Sequence, residues 1–370
     1  MLLLPFVSSY ATASDPVNQW ILYHEYSPKD WRRQNHGGIA FDPSEDSIYL
    51  FGSDTHGSDT NNAVYQFGLD QKQWLEHYPP SVISTYRISE AGQLVAGDED
   101  TPMPWAMHTF DNIVFDPARR ALVITAFPEH NPLRKKMPRK GIWSTWLYHV
   151  DHRSWSILNN DPQPKGFAGA SAYDSKRQRV LLYKWRMSQL PSAEEKWQKA
   201  GPGNGHQIHY MMEYDSHHDL IAVFGDHKNS NRVHLFYPDG DGPNGYWEIR
   251  QPEGDKVPED QHFPVAFSTQ DKVFLLVPDD TAFKTQPSGY RKPIKPKQAL
   301  TFIYDIKNNQ YLGLPKAQLP PLGMNYCMVY SPKKNAFFLL SGTTQIKVWQ
   351  LKLDLAQLAV LQPSTSGASQ

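Results

Sequence analysis

His36, His209 and His262 each stand five residues before an aromatic that marks one recurring pattern, and His56 and His130 each stand fifteen after it. His108, His206 and His227 fall close to the same two places. Imidazole titrates near neutrality, so grouped histidines can pass protons, bind a metal ion or hold an anion. A lone histidine at such a place more often packs in a wall and bonds a neighbour or water. Recurrence at equivalent positions is what points to a site. Lys184, Arg186, Tyr210, Asn325 and Tyr326 occupy comparable positions. Arginine stays charged and can grip a carboxylate through two parallel hydrogen bonds.

The pattern that carries these residues reads as a tight hairpin. An apolar run, an aromatic, Asp-Pro or a polar substitute, a short polar turn and a second apolar run recur at 36–56, 108–130, 167–186, 209–227, 262–280 and 325–343. The aromatics are Phe41, Phe115, Tyr173, Tyr214, Phe267 and Tyr330. Two more strand-like segments follow most copies, the second often centred on Trp, as in NAVYQF and KQWLEHY after the first. Four strands per unit make a propeller blade. The last copy is followed by one clear strand, IKVWQLKL (346–353), and a segment of the missing kind, NQWILYHEY (18–26), lies near the other end. The N-terminal strand is therefore predicted to complete the last blade, which removes both open sheet edges. The expected fold is all-β: a single β-propeller over 18–355 with six four-stranded blades, or seven if TYRISEAGQLVAGDE (85–99) forms another. A pair of β-sandwiches explains the repeated hairpin less well.

Composition agrees with many short strands. The chain of 370 residues is 13% aromatic, with 30 prolines and 23 glycines, and no stretch holds a helical apolar period. A net charge of −1 gives no global field for nucleic acid or an anionic membrane, and neither partner is expected. The single cysteine, Cys327, excludes an internal disulfide framework. Residues 1–17 open on MLLLPFVSSYATAS, apolar and then small, with Ala11-Thr12-Ala13 resembling a cleavage site. That segment is read as a signal-peptide remnant, which implies a secreted or periplasmic protein. No other stretch approaches the roughly 20 apolar residues of a membrane span. Residues 356–370 are read as a disordered tail, and the protein as a monomer.

In a propeller the first strand of each blade lines the channel. The start of that strand and the end of the second then share one mouth, opposite the hairpin turns. The histidine positions therefore converge. Two connections on the same face are long and basic: 131–141, with Arg134, Lys135, Lys136, Arg139 and Lys140, and 283–297, with Lys284, Arg291, Lys292, Lys295 and Lys297. A third, 187–205, is mixed in charge. Such a mouth suits an anionic polysaccharide, with Trp105, Trp185, Tyr210 and Tyr290 available to stack on sugar rings. One reaction there needs no cofactor: β-elimination beside a uronic acid, with a group to neutralise the carboxylate, a base and an acid. A divalent cation, zinc or calcium, is the cofactor this histidine set would otherwise take.

The blade pattern resembles the kelch and galactose-oxidase-type β-propellers over residues 18–355. A narrower resemblance is to propeller-fold polysaccharide lyases, the ulvan lyases in particular. It implies a catalytic pair in His108 and His130, a neutralising Arg186 and an accessory Tyr210 or His209, with the proton roles of the pair open. His36, His56, His206, His209, His227, His262, Lys184 and Tyr326 would then contact substrate. The competing class is a non-catalytic propeller that binds a carbohydrate or a protein. Outer histidines His77, His149, His152, His217 and His218 are assigned to the surface.

Overall fold

Each of the six hairpins turns in four residues, and one acidic or hydroxyl side chain shapes every turn. Asp42 Oδ1 accepts from the Ser44 N–H, Asp116 from Ala118, Asp174 from Arg177 and Asp215 from His217 and His218. In the last two copies the Ser268 and Ser331 hydroxyls accept from the Asp271 and Lys334 N–H groups. Short polar side chains favour turns because they bond their own backbone two or three residues on. The fourth turn residue is left-handed in every copy: Asp46, Arg120, Gln178, Asp219, Lys272 and Asn335, with φ between 45° and 61°.

The computed structural model describes residues 16–53, 59–126, 133, 144–158, 169–204, 211–226, 229–239, 245–260, 262–285 and 291–361. Strand β1 (Ile21–Tyr26) precedes the first blade, β2 (Gly38–Asp42), β3 (Ser47–Phe51), β4 (Tyr65–Gly68) and β5 (Gln73–Glu76). A small hairpin, β6 (Arg87–Ile88) and β7 (Leu94–Val95), leads to the second, β8 (Ile113–Asp116), β9 (Ala121–Ile124), β10 (Thr145–His149) and β11 (Ser154–Leu158). The third comprises β12 (Ala170–Asp174), β13 (Arg179–Lys184), β14 (Arg186–Pro191) and β15 (Gln198–Lys199). The fourth comprises β16 (Met211–Asp215), β17 (Leu220–Phe224), β18 (Val233–Tyr237) and β19 (Tyr246–Arg250).

Strand β20 (Glu253–Gly254) joins the fifth blade as a parallel outer edge on β26 (Gln310–Gly313), outside β21 (Val265–Ser268), β22 (Val273–Leu276) and β25 (Phe302–Asp305). A hairpin of β23 (Ala282–Thr285) and β24 (Arg291–Ile294) is inserted between β22 and β25. The sixth blade is β27 (Met328–Ser331), β28 (Ala336–Ser341) and β29 (Ile346–Leu351), with β1 antiparallel on β29 as its fourth strand. The molecule is a six-bladed β-propeller closed by its N-terminal strand, as the strand count predicted.

The inner strands form a ring: β2 packs beside β8, β8 beside β12, β12 beside β16, β16 beside β21, β21 beside β27, and β27 beside β2. Apolar side chains fill the wedges between sheets. Ala40, Ile113 and Phe115 meet between blades one and two, and Ile39, Cys327 and Val329 between six and one. Cys327 is a buried thiol that donates to the Gly37 carbonyl and receives Arg33 Nη1 at 3.7 Å. Gly38 has no space for a side chain, because a Cβ there would sit 2.0 Å from the Phe110 carbonyl oxygen. A short helix, α1 (Leu355–Leu361), follows the ring, with Leu355 and Leu358 packed on the core.

Three readings change. Segment 85–99 holds the β6–β7 hairpin and not a seventh blade. Residues 187–205 are not a connection from second to third strand: Met187–Pro191 belongs to β14 and Gln198–Lys199 is β15. Arg186 accordingly opens a third strand and does not end a second one. Residues 1–15 and 362–370 lie outside the described residues.

Candidate functional site: the histidine face and the central channel

Two histidines from adjacent blades stack where blades one and two meet. The rings of His36 and His108 lie 4.2 Å apart at 17°, and Phe110 stands edge-on to both at 5.5 and 5.4 Å. The His36 carbonyl accepts the Thr109 and Phe110 N–H groups, which draws the 107–110 segment across the end of blade one. Thr109 Oγ1 donates to the Phe51 carbonyl and accepts from the Gly38 N–H, both at 2.7 Å. Phe110 is held at φ 48°, a conformation bulky residues rarely adopt. His108 is 1% exposed and Phe110 2%, so this part of the mouth is filled.

Across the ring His262 faces Tyr326, whose hydroxyl is 3.1 Å from the imidazole Nδ1. Burial holds the Tyr326 phenol well above its ordinary range, with Asp111 and Asp260 adding to the effect. The phenol is therefore held neutral and is not a phenolate base. Asn325, also expected at the mouth, is consumed by backbone bonds to Leu340 and Cys327. Asp279 likewise accepts the Leu322 and Gly323 N–H groups.

Lys184, Trp185 and Arg186 make the turn between β13 and β14. Trp185 is 63% exposed and left-handed at φ 68°. Lys184 Nζ lies 5.1 Å from the Trp185 ring centroid, and burial lowers that ammonium to about 8. Arg186 is exposed on the other side of the turn. Nearby in the fold, at the ends of blade four, His234 bonds Asp226 through Nε2 at 2.9 Å and Asn204 through Nδ1 at 2.8 Å. Tyr183 donates in turn to Asn204. His234 is an inner face residue of a third strand, and its place inside an apolar run hid it from the sequence reading.

His56, His130, His206, His209, His227 and Tyr210 lie outside the described residues, as do Tyr290 and all of the basic segment 131–141 except Leu133. Trp105 is 2% exposed and packs in the core beside Trp146, so it is not a stacking platform. His77 is not a free surface residue either. It is held between the Tyr148 hydroxyl at 2.7 Å and Gln66 Oε1 at 2.9 Å, and burial lowers it to about 4. Among the described residues no group of three or more His, Cys, Asp or Glu is placed to hold a metal ion.

The central channel is a separate feature. A cavity of about 330 Å³ runs from the turn face inward to Asp111 and Tyr326. Its rim is Pro43, Pro117, Ser175, Ser216, Thr269 and Pro332, all exposed. The six repeat aromatics form a collar beneath that rim, with the Phe115, Tyr214, Phe267 and Tyr330 rings packed largely into the wedges between blades. Deeper in stand two carboxyls, Asp111 and Glu213. Asp111 bridges three blades: its carbonyl accepts the Ser171 N–H at 2.8 Å and its carboxylate the Met212 N–H at 2.9 Å. Each acid keeps some accessible surface, but that surface lies in the channel wall and not in bulk solvent. Burial pushes Glu213 up to about 8; burial and then Glu213 push Asp111 well above the carboxylate range.

No protein-family description matches the chain, and no curated protein sequence matches it. Among solved structures, a chain in the crystal structure of a mitotic checkpoint complex superposes with a TM-score of 0.50 at 11% identity. The match covers 95% of this chain and 99% of that one. At that identity the likeness concerns the propeller fold alone. Among the described residues no helix is long and apolar enough to cross a membrane.

Proposed function

We propose that the protein is a binding propeller for an acidic polysaccharide, seated on the histidine face. The carrying observation is the Lys184-Trp185-Arg186 turn, an exposed indole flanked by two cations. An aromatic face packs against a sugar ring while an arginine fork holds a uronate carboxylate. Trp185 keeps a strained backbone and an exposed apolar ring with no core to fill, a combination common at functional sites. Kelch-type propellers are the class in which this reading places it.

Elimination beside a uronate is the second reading, favoured by the imidazole–phenol pair of His262 and Tyr326 at the same face. Binding is preferred because His108 and Tyr326 are buried, so neither that imidazole nor that phenol is open to a polymer, whereas Trp185 and Arg186 are exposed. The test is a screen of ulvan, pectate, alginate and glycosaminoglycans for affinity and for far-ultraviolet absorbance of an unsaturated product. Trp185→Ala should weaken binding about tenfold or more, in line with the worth of one stacked ring, and added salt should weaken it further. Product that is lost in His262→Ala would move the conclusion to elimination. No affinity for any acidic polymer would end both readings.

A further inference from the structure

Glu213 breaks the repeat it belongs to. It immediately precedes the marker aromatic of its blade, and the other five blades place Ala40, Val114, Ala172, Ala266 and Val329 there. A carboxyl in place of an aliphatic at an inner strand is costly unless a positive charge or hydrogen bonds meet it. Among the described residues, those lining the channel include no lysine, arginine or histidine. Ser171, on the same wall and 6% exposed, has a hydroxyl without a hydrogen-bond partner. The channel is open to solvent through its exposed rim, and its volume of about 330 Å³ is that of a small-ligand site. Ser216 at the rim is three residue steps from Glu213, about 10 Å at roughly 3.3 Å per residue. Aromatic collar above, carboxyls below and no cation among the described residues of the wall are complementary to one ligand class.

We propose that the turn-face channel binds a slender organic ammonium ion, with its charge against Glu213 and Asp111 and its hydrocarbon within the aromatic collar. The apolar lining accommodates the hydrocarbon stem, while the carboxyls accept the ammonium hydrogens. A hard divalent ion fits less well, because it asks for six or more oxygen ligands and the wall around the carboxyls is aliphatic and aromatic. This site is on the opposite face from the Trp185 turn and stands whether or not a polysaccharide binds there.

Calorimetric titration with n-butylammonium chloride at pH 9, where Glu213 is ionised and the amine still carries its proton, tests the site, with n-butanol as the uncharged isostere and calcium chloride as the metal arm. Butylammonium is expected to bind at least tenfold more tightly than butanol. Glu213→Ala, which installs the residue of three other blades, should cost at least tenfold in that affinity, and Glu213→Gln should do the same while keeping the side-chain volume. Either variant should melt no lower than the parent. No heat with butylammonium, equal affinity for butanol, or binding indifferent to both variants would overturn the site. Calcium binding that depends on Glu213 without any response to the amine would overturn its assignment to an organic cation.

Discussion

Glu213 and His77 give the molecule opposite pH responses, and each follows from what surrounds one side chain. Glu213 is raised from the ordinary glutamate value to about 8, chiefly by burial. The folded state then binds a proton more tightly than the unfolded chain. The associated stability is complete below the unfolded value and is lost as pH rises through 8. Groups facing it include Asp111, itself raised, and the Tyr326 phenol. Glu213→Gln should therefore stabilise the protein at pH 9 by on the order of a few kcal/mol and hardly at all at pH 5, since each pKa unit is worth about 1.4 kcal/mol. Urea midpoints at the two values decide this; an equal gain at both would remove the argument. His77 works in the other direction. It is lowered to about 4 by burial and by Arg153, so its contribution is complete above 6.5 and drains away as pH falls toward 4. His77→Gln, which can still bond Tyr148, should flatten the acid limb of stability between those values. Neither residue was legible as such in the sequence. Glu213 looked like one polar letter in an apolar strand, and only alignment of the six repeats by their aromatics exposes it against Ala and Val. His77 looked like an outer histidine because its partners, Gln66 and Tyr148, come from two different blades.

At the scale of elements, the hairpins were legible because their turn chemistry is local. Asp or Ser before a four-residue turn and a left-handed last residue are encoded within six positions of sequence. Asp174 shows how much one such residue carries. Its fully buried carboxylate accepts the Arg177 N–H and also pairs with the Arg177 and Arg179 guanidinium groups, while Arg177 reaches Asp219 of the next blade. Asp174→Ala should cost about 3 kcal/mol, because it removes the turn acceptor and the acidic partner of partly buried Arg179, while Arg177 keeps Asp219 and Asp239. The measurement is an equilibrium unfolding curve, with Asp174→Asn expected to recover the turn bond but not the ion pairs. Blade three's outer strands were not legible. Met187–Pro191 holds only Met187 and Leu190 as apolar residues before Pro191 closes the strand, and Gln198–Lys199 is two polar residues, so alternation gave no signal. The position of β14 comes from backbone pairing with β13, set by the tight turn at Trp185, and that of β15 from pairing with β14. Close approach between blades is a second element-level constraint. Gly38→Ala should lower stability by about 1–3 kcal/mol, since the added carbon meets a backbone oxygen that cannot rotate away. Gly323→Ala, left-handed at φ 64° but in open space, should cost less, and a reversed order would show that the blade interface yields.

Ring closure is a property of the whole molecule, and it places every proposed site. The sixth blade has only three strands of its own, and β1 supplies the outer edge through pairs running from Ile21–Gln350 to Tyr26–Ile346. Additional contacts lock that strand in place. Trp20 donates to Thr301 of blade five at 2.9 Å, Tyr23 stands edge-on to Phe338 at 5.1 Å, and Asn18 bonds across to Asp354 in both directions. This arrangement was legible in the sequence because a missing strand at one end matched a spare one at the other. What the sequence did not show was how the middle of the ring is occupied. Equivalent histidine positions suggested an open mouth, but packing fills part of it with His108, Phe110 and Tyr326, while the channel opens at the turns. Removing residues through Tyr26 should expose the β29 edge and unclasp blades five and six together. We expect a large fall in melting temperature, a broadened transition and association of the truncated chain through its free edge. Scanning calorimetry with size-exclusion chromatography reads both effects. A truncated protein that stays monomeric and melts with the parent's sharpness would mean that the ring holds without its N-terminal strand, and the shared mouth and the central channel would then need another cause.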